Sequence, residues 1–226
     1  MVLDTRAALD VCFLITKKSS LLRIEMDRQK RVTAIVGTYR KGGIIDAAVD
    51  EILASARDQG ALAEKIYLTD ACIEFCTNCR TCAGQPGQER GRCPLSDDMA
   101  GILDKIEQSD ALVLASPMNF GTVTAVMKRF IERLICYAYW PWGAAAPRKR
   151  KKKGTRRAVV VVSSAAPALL ARLTTRITGL LKQALSLMGA ETAGVLFIGL
   201  AARKPHQDIG VLARRKARIL GRKLVQ

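Results

Sequence analysis

Along this 226-residue chain, short runs rich in β-branched residues alternate with segments whose apolar residues recur at helical spacing. That alternation constrains the fold more than any other feature. Arg31–Gly37 and Val159–Val162 suit strands buried on both faces. Ala63–Thr69, Ala111–Ser116 and Val195–Ile198 read as three more strands. Between them, Ile44–Asp58 carries apolar residues at 44, 45, 48, 49, 52 and 53, and Gly60 supplies a stop. Ser96-Asp97-Asp98 caps a helix that runs to about Gln108. Thr122–Cys136 turns Val123, Val126, Met127, Phe130, Ile131 and Leu134 inward. Ala168–Met188 reads as one long helix, and Ile209–Leu224 as a basic helix closing the pattern. Strands that never neighbour one another in sequence need crossovers, so the sheet is parallel with helices on both faces. Residues 31–226 therefore form one α/β domain, a doubly wound five-stranded sheet in the order 2-1-3-4-5.

Residues 1–30 precede the pattern as an N-terminal extension. Its one apolar stretch, Ala7–Ile15, is interrupted by Asp10, and Asp4 sits where a signal would carry positive charge. A cytoplasmic protein is expected. No run approaches the roughly 18 apolar residues of a membrane span. The seven cysteines are odd in number and clustered, which argues against a secreted disulfide framework. His206 is the single histidine, so mechanisms that need two are excluded.

In open parallel sheets, ligands sit beyond the carboxyl ends of strands where the strand order reverses. Here those are the turns after the first and third strands. The first reads Gly37-Thr38-Tyr39-Arg40-Lys41-Gly42-Gly43 and opens a helix at Ile44-Ile45. Its glycines let backbone N–H groups converge, the helix end adds partial positive charge, and Thr38, Arg40 and Lys41 add a hydroxyl and two cations. The spacing fits neither a dinucleotide fingerprint nor a nucleoside-triphosphate loop. It describes a short cradle for one terminal phosphate, against the alternative of a plain glycine-rich turn. The third strand ends in Ser116-Pro117-Met118-Asn119-Phe120-Gly121, a stiff loop able to present amides to the edge of a flat ring. Ser163-Ser164-Ala165 ends the fourth. A monophosphate cradle beside two ring-edge loops fits flavin mononucleotide (FMN).

Cys76, Cys79 and Cys82 are each separated by two residues, and Cys93 follows in a loop over residues 70–95. The spacing is that of a ferredoxin-like [4Fe–4S] run, with Cys93 as the fourth ligand. Zinc and a metal-free loop are the alternatives. Cys72 and Cys136 read as packing residues.

The net charge is +17, and eight of the ten residues over 148–157 are basic. Such a block, within a 143–157 loop, reads as solvated and mobile. No nucleic-acid module accompanies it, and an acidic redox protein or the phosphates of NADPH are alternative attractions. Tyr137, Tyr139, Trp140 and Trp142 precede it, and are expected at a subunit interface with some rings near the flavin, or as an intrachain cluster.

Taken together, Gly37–Gly43, Cys76-x-x-Cys79-x-x-Cys82, Cys93 followed by Asp97-Asp98-Met99, Ser116-Pro117 with Phe120-Gly121, and Met127-Lys128-x-Phe130-Ile131-x-Arg133 resemble the flavodoxin-like NAD(P)H-dependent FMN reductases, above all their iron–sulfur flavoprotein branch. The resemblance implies FMN on residues 38–45, 116–121 and 163–165, a homodimer or homotetramer, and NAD(P)H as co-substrate. The chain departs from that pattern at Ile44-Ile45, where the family commonly has Asn-Thr, at Asn119, often Tyr, and in the ten-residue spacer between Cys82 and Cys93. An FMN-dependent oxidoreductase is expected. The alternatives are a non-enzymatic electron carrier and a regulatory module that has lost FMN.

Overall fold

The computed structural model describes residues 28–150, 154–204 and 207–226. Most of the N-terminal extension, Cys12 and His206 lie outside the described residues. The sheet is built from β1 (Arg31–Val36), β2 (Leu62–Tyr67), β3 (Ala111–Pro117), β4 (Arg156–Ser163) and β5 (Ala190–Ile198). All four pairings are parallel, and the order is β2-β1-β3-β4-β5, as expected. The helices are α1 (Ile44–Arg57), α2 (Met99–Gln108), α3 (Ala125–Arg133), α4 (Ala168–Thr174), α5 (Ile177–Leu187) and α6 (Val211–Val225).

The period of two in the strands sorts side chains into two cores. Val32, Ala34, Val36, Val113, Val159 and Val161 face α1 and α6. Ile35, Leu112, Leu114 and Val160 face α2, α3 and α5. Because both faces are covered, the central strands read as continuous apolar runs. β2 lies at the edge, and Leu62 there is half exposed.

Three expectations are corrected. The helix expected over Ala168–Met188 is two helices. Thr174 and Thr175 donate their hydroxyls to the carbonyls of Leu170 (2.9 Å) and Ala171 (2.7 Å), and Thr175 is extended at φ −127°. A β-branched pair that bonds back to its own turn ends the helix there. The helix expected over Thr122–Cys136 starts later, because the Thr124 side chain accepts the Met127 N–H as its cap, and it ends in a 3-10 turn, Leu134–Tyr137. The basic block is not uniformly solvated. Arg148–Lys149 pairs antiparallel with Ala138–Tyr139, and Arg150 is buried. Arg156 donates to the carbonyls of Ile106 and Met188, at the ends of α2 and α5, where helices leave carbonyls unpaired.

Gly37 places β1 against α3. A Cβ there would stand 2.7 Å from Met127 Cβ and 3.2 Å from Thr124 Oγ1. The glycine carbonyl accepts the Thr124 hydroxyl at 2.6 Å. Gly37→Ala should lower unfolding free energy by about 1–3 kcal/mol, since Met127 Cβ is tied to the helix backbone and cannot yield. A urea midpoint unchanged from wild type would show that α3 stands off from this turn.

Candidate functional site

The phosphate-type turn begins where β1 stops. Gly43 is the residue before α1, and no side chain caps the helix there. The first N–H groups of a helix have no partner within it, so the start of α1 offers donors and partial positive charge to an anion. Thr38 is buried, and its hydroxyl accepts the Arg40 N–H at 3.2 Å, which shapes the turn. Lys41 pairs with the exposed Asp70 at 2.7 Å. The Ile44 and Ile45 side chains pack into the α1–α6 core, so they wall the site without plugging it.

The turns after β3 and β4 meet this one. The Met118 N–H reaches the Ser163 carbonyl at 2.8 Å, and the Ser164 N–H reaches Ile198 at 2.9 Å. Between the three turns lies a cleft of about 360 Å³ lined by Thr38, Arg40, Gly43, Ile44, Ile45, Pro117, Met118, Asn119, Ser163 and Ser164. Tyr39, Ala165, Ala201 and Ala202 also line it. Gly42 instead lines an adjoining cleft of about 330 Å³ with Arg40, Lys41 and Lys204.

Besides Gly42, three more sequence candidates lie outside this lining. Ser116 is fully buried, donates to the Pro117 carbonyl at 2.9 Å and accepts the Thr124 N–H at 3.2 Å, so it braces the loop. Phe120 and Gly121 form the tip of a tight turn closed by paired bonds between Asn119 and Thr122. Both have positive φ, and the Phe120 ring is fully exposed beyond the cleft lining.

Beneath the first turn sits a carboxylate that sequence reading missed. Asp46 is buried and accepts the Gly42 N–H at 2.6 Å, Lys65 Nζ at 2.5 Å and the Tyr67 hydroxyl at 2.7 Å. Burial pushes its pKa up. The bonds from Lys65, Gly42 and Tyr67 outweigh that and hold it below the ordinary 3.8. Asp46 anchors the second glycine of the turn, and Lys65 offsets a negative charge that would otherwise oppose an anion there.

Cys76, Cys79, Cys82 and Cys93 converge on a separate, small cavity of about 30 Å³, with Trp140 and Leu95 in its wall. Asn78 and Arg80, between the cysteines, both have positive φ, so the loop is held in a sparsely populated backbone shape. Cys79 is exposed, and the Thr81 hydroxyl and N–H lower its pKa. Cys82 is buried. Desolvation first, then the neighbouring Cys93, Cys76 and Cys79, push its pKa up. Among the described residues, no three His, Cys, Asp or Glu side chains are placed to hold a single metal ion. Tetrahedral zinc would need the four sulfurs drawn in to about 2.3 Å from one centre. In a cube each thiolate takes a separate iron, so the donor set fits a [4Fe–4S] centre. The cavity has room for about two waters.

Arg133 ties this loop to α3. Buried with Asp97, it makes a two-point ion pair, donates to the Glu74 carbonyl at 2.8 Å and lies 3.6 Å from Cys93 Sγ. Burial raises the Asp97 pKa, but Arg133 and the Glu74 and Met99 N–H groups hold it below the ordinary range. Cys136 is buried as expected, its thiol pushed up to about 12 by desolvation. Cys72 is exposed, contrary to the packing role expected, because Asp98 binds its backbone and leaves its side chain outside. The aromatic run packs on the cysteine loop. The Arg80 guanidinium lies 3.6 Å from the Trp140 ring centre and 4.3 Å from that of Trp142.

A family model described as NADPH-dependent FMN reductase matches residues 30–190. The chain belongs to this family. Among curated relatives, an iron–sulfur flavoprotein of Archaeoglobus fulgidus is 35% identical over 111 residues, covering 49% of this chain and 48% of the relative. One from Methanocaldococcus jannaschii is 34% identical over 103 residues, 46% and 51% of the two chains. The chain thus spans about half the length of the curated relatives it matches. The fold is that of an FMN-dependent NADH-azoreductase of Bacillus anthracis solved with FMN (TM-score 0.63, 14% identity, 88% of this chain and 100% of the other). It is also that of an NAD(P)H:quinone oxidoreductase of Methanothermobacter marburgensis (TM-score 0.60, 19% identity, 88% and 98%).

Asp97 and Arg133, which lie in two of the stretches that carry the family resemblance, are a buried pair, which the spacing alone did not show. Asp46 and Lys65 had no signal beyond a lone acid in an apolar helix face and a lysine in an edge strand. Asp46→Asn should cost about 1–3 kcal/mol near neutral pH. A carboxyl whose folded pKa is lowered stabilises the fold above its unfolded value and stops doing so as pH falls through the folded value. The gap between wild type and Asp46→Asn should therefore close below pH 3.8. Denaturation curves across pH 2–7 that ran parallel would contradict the assignment.

Proposed function

We propose that this chain binds FMN in the three-turn cleft and moves electrons between NAD(P)H, or a reduced protein, and a small acceptor. The observation that carries the reading is the uncapped start of α1 opening on a cleft of about 360 Å³ at the sheet's reversal point. The α1 N–H groups, Thr38 and Arg40 would hold the phosphate. Pro117, Met118, Asn119 and the Ser163-Ser164 turn would bracket the ring, with Ile44 and Ile45 giving the cleft a dry wall. Bound FMN supplies electron-transfer chemistry that no side chain here provides, and the chain's part is to bind and orient it.

Cys76, Cys79, Cys82 and Cys93 would hold a [4Fe–4S] cluster as a second redox group. The six described cysteines are unpaired thiols, in keeping with a reducing, cytoplasmic setting. The exposed Leu169, Leu170 and Leu173 of α4 support assembly into a homodimer or homotetramer. The strongly positive chain favours an acidic protein as any redox partner.

The chain purified under anaerobic conditions should carry one FMN, lose the flavin's visible absorption on addition of NAD(P)H, and contain iron and sulfide in equal amounts. A colourless chain that cannot be loaded with FMN would defeat the proposal. Thr38→Val removes a hydroxyl from a charged ligand and should raise the FMN Kd about tenfold, as read by flavin fluorescence quenching.

A further inference from the structure

The ten-residue spacer between Cys82 and Cys93 must fold back for the fourth cysteine to join the other three. One side chain lies at the centre of that reversal. Arg150 comes from the basic block, yet it is only 8% exposed. Its Nε donates to the Cys136 carbonyl at 3.1 Å, and Nη1 to Gly87 at 2.9 Å. Nη2 donates to Cys82 at 3.0 Å and to Gln85 at 2.8 Å. A planar guanidinium can serve several carbonyls at once because its donors are fixed in a fork, which an ammonium cannot reproduce. The spacer closes tightly around this point. The Gly91 N–H reaches the same Cys136 carbonyl at 2.9 Å, and a Cβ on Gly91 would fall 1.8 Å from the Cys82 carbonyl oxygen. One guanidinium thus serves four carbonyls, and one of them is the carbonyl of Cys82 itself.

We propose that Arg150 is a positioning residue of the four-cysteine site. It closes the long spacer, holds Cys82 buried beside Cys93, and fixes a positive charge at the Cys82 backbone. The part concerning a cluster rests on the reading above; the part concerning Cys82 does not. A cation here favours the more negative, reduced state of any cluster, and so raises its potential.

The test compares full-length wild type with Arg150→Lys, Arg150→Met and, as a control on the exposed part of the basic block, Arg148→Ala. Each is measured for FMN per chain, for iron and sulfide after anaerobic reconstitution, for cluster midpoint potential, and for the rate at which iodoacetamide labels Cys82 in the metal-free chain. Both Arg150 variants should label Cys82 about tenfold faster and hold about tenfold less cluster, while Arg148→Ala matches wild type. Residual cluster should have a lower potential in Arg150→Met than in Arg150→Lys, which keeps the charge. A purely structural role would not separate those two variants. Wild-type labelling and cluster content in Arg150→Met would overturn the proposal. So would loss of FMN from both variants, which would make Arg150 a general determinant of the fold. If wild type takes up no iron or sulfide, the cluster reading fails, and labelling alone decides for Arg150: faster supports it, unchanged overturns it.

Discussion

The contact between Gly37 and the first turn of α3 fixes where the ends of β1 and β3 stand. Thr124 does three things there. Its hydroxyl donates to Gly37, its side-chain oxygen accepts the Met127 N–H, and its backbone N–H donates to Ser116. The turn that opens α1 and the loop that follows β3 are thereby joined by one buried residue. Without that junction, the phosphate-type turn and the ring-edge loop would be two unrelated surface turns. With it, they face each other across a cleft whose third side is the Ser163-Ser164 turn, tied to Met118 through the Ser163 carbonyl.

The charge of the chain acquires a different meaning once its arginines are placed. A surplus of +17 reads from sequence as a solvated surface property. Three arginines are instead internal connectors. Arg133 joins α3 to the cysteine loop, Arg150 joins the spacer to Cys136, and Arg156 donates to carbonyls at the ends of α2 and α5. Each serves backbone carbonyls, groups that must find a donor once they leave water. Sequence periodicity cannot separate these from Arg148, because a side chain's partners come from segments distant in sequence.

What was legible follows the same division. Strand order, helix order and the cleft turns are set by local patterns: β-branched runs, helical spacing, and glycines just after a strand. The strand-order argument needed only those. Cys76, Cys79, Cys82 and Cys93 line one cavity, as their close spacing allows, and helical spacing marks Ile44 and Ile45 as inward-facing. The break between α4 and α5 was missed because Thr174 and Thr175 are tolerable within a helix. Only their bonds back to Leu170 and Ala171 show that the turn ends there. Ser116 lies in a stretch that the resemblance puts on FMN, yet its hydroxyl donates to the Pro117 carbonyl and accepts the Thr124 N–H within its own loop. Asp46 lay hidden for the opposite reason. Its partners Lys65 and Tyr67 sit on the edge strand, and only the β1–β2 register brings them under the turn.

α3 connects the two sites mechanically. Its first turn holds the cleft through Thr124, and its last residue, Arg133, holds Asp97 and approaches Cys93. Nine residues at about 1.5 Å each set these anchor points roughly 13 Å apart along a rigid rod. Met127 and Phe130 between them are fully buried, so the rod cannot slide without opening the core. A cofactor in the cleft and a metal group in the cysteine loop would therefore keep a constant separation, whatever the exposed limb of the loop does. The limb that carries Cys76 and Cys79 is exposed and strained, whereas the limb that carries Cys82 and Cys93 is pinned by Arg150 and Arg133. Of the two limbs, the one that carries Cys82 and Cys93 is attached through Arg133 to the helix that shapes the cleft.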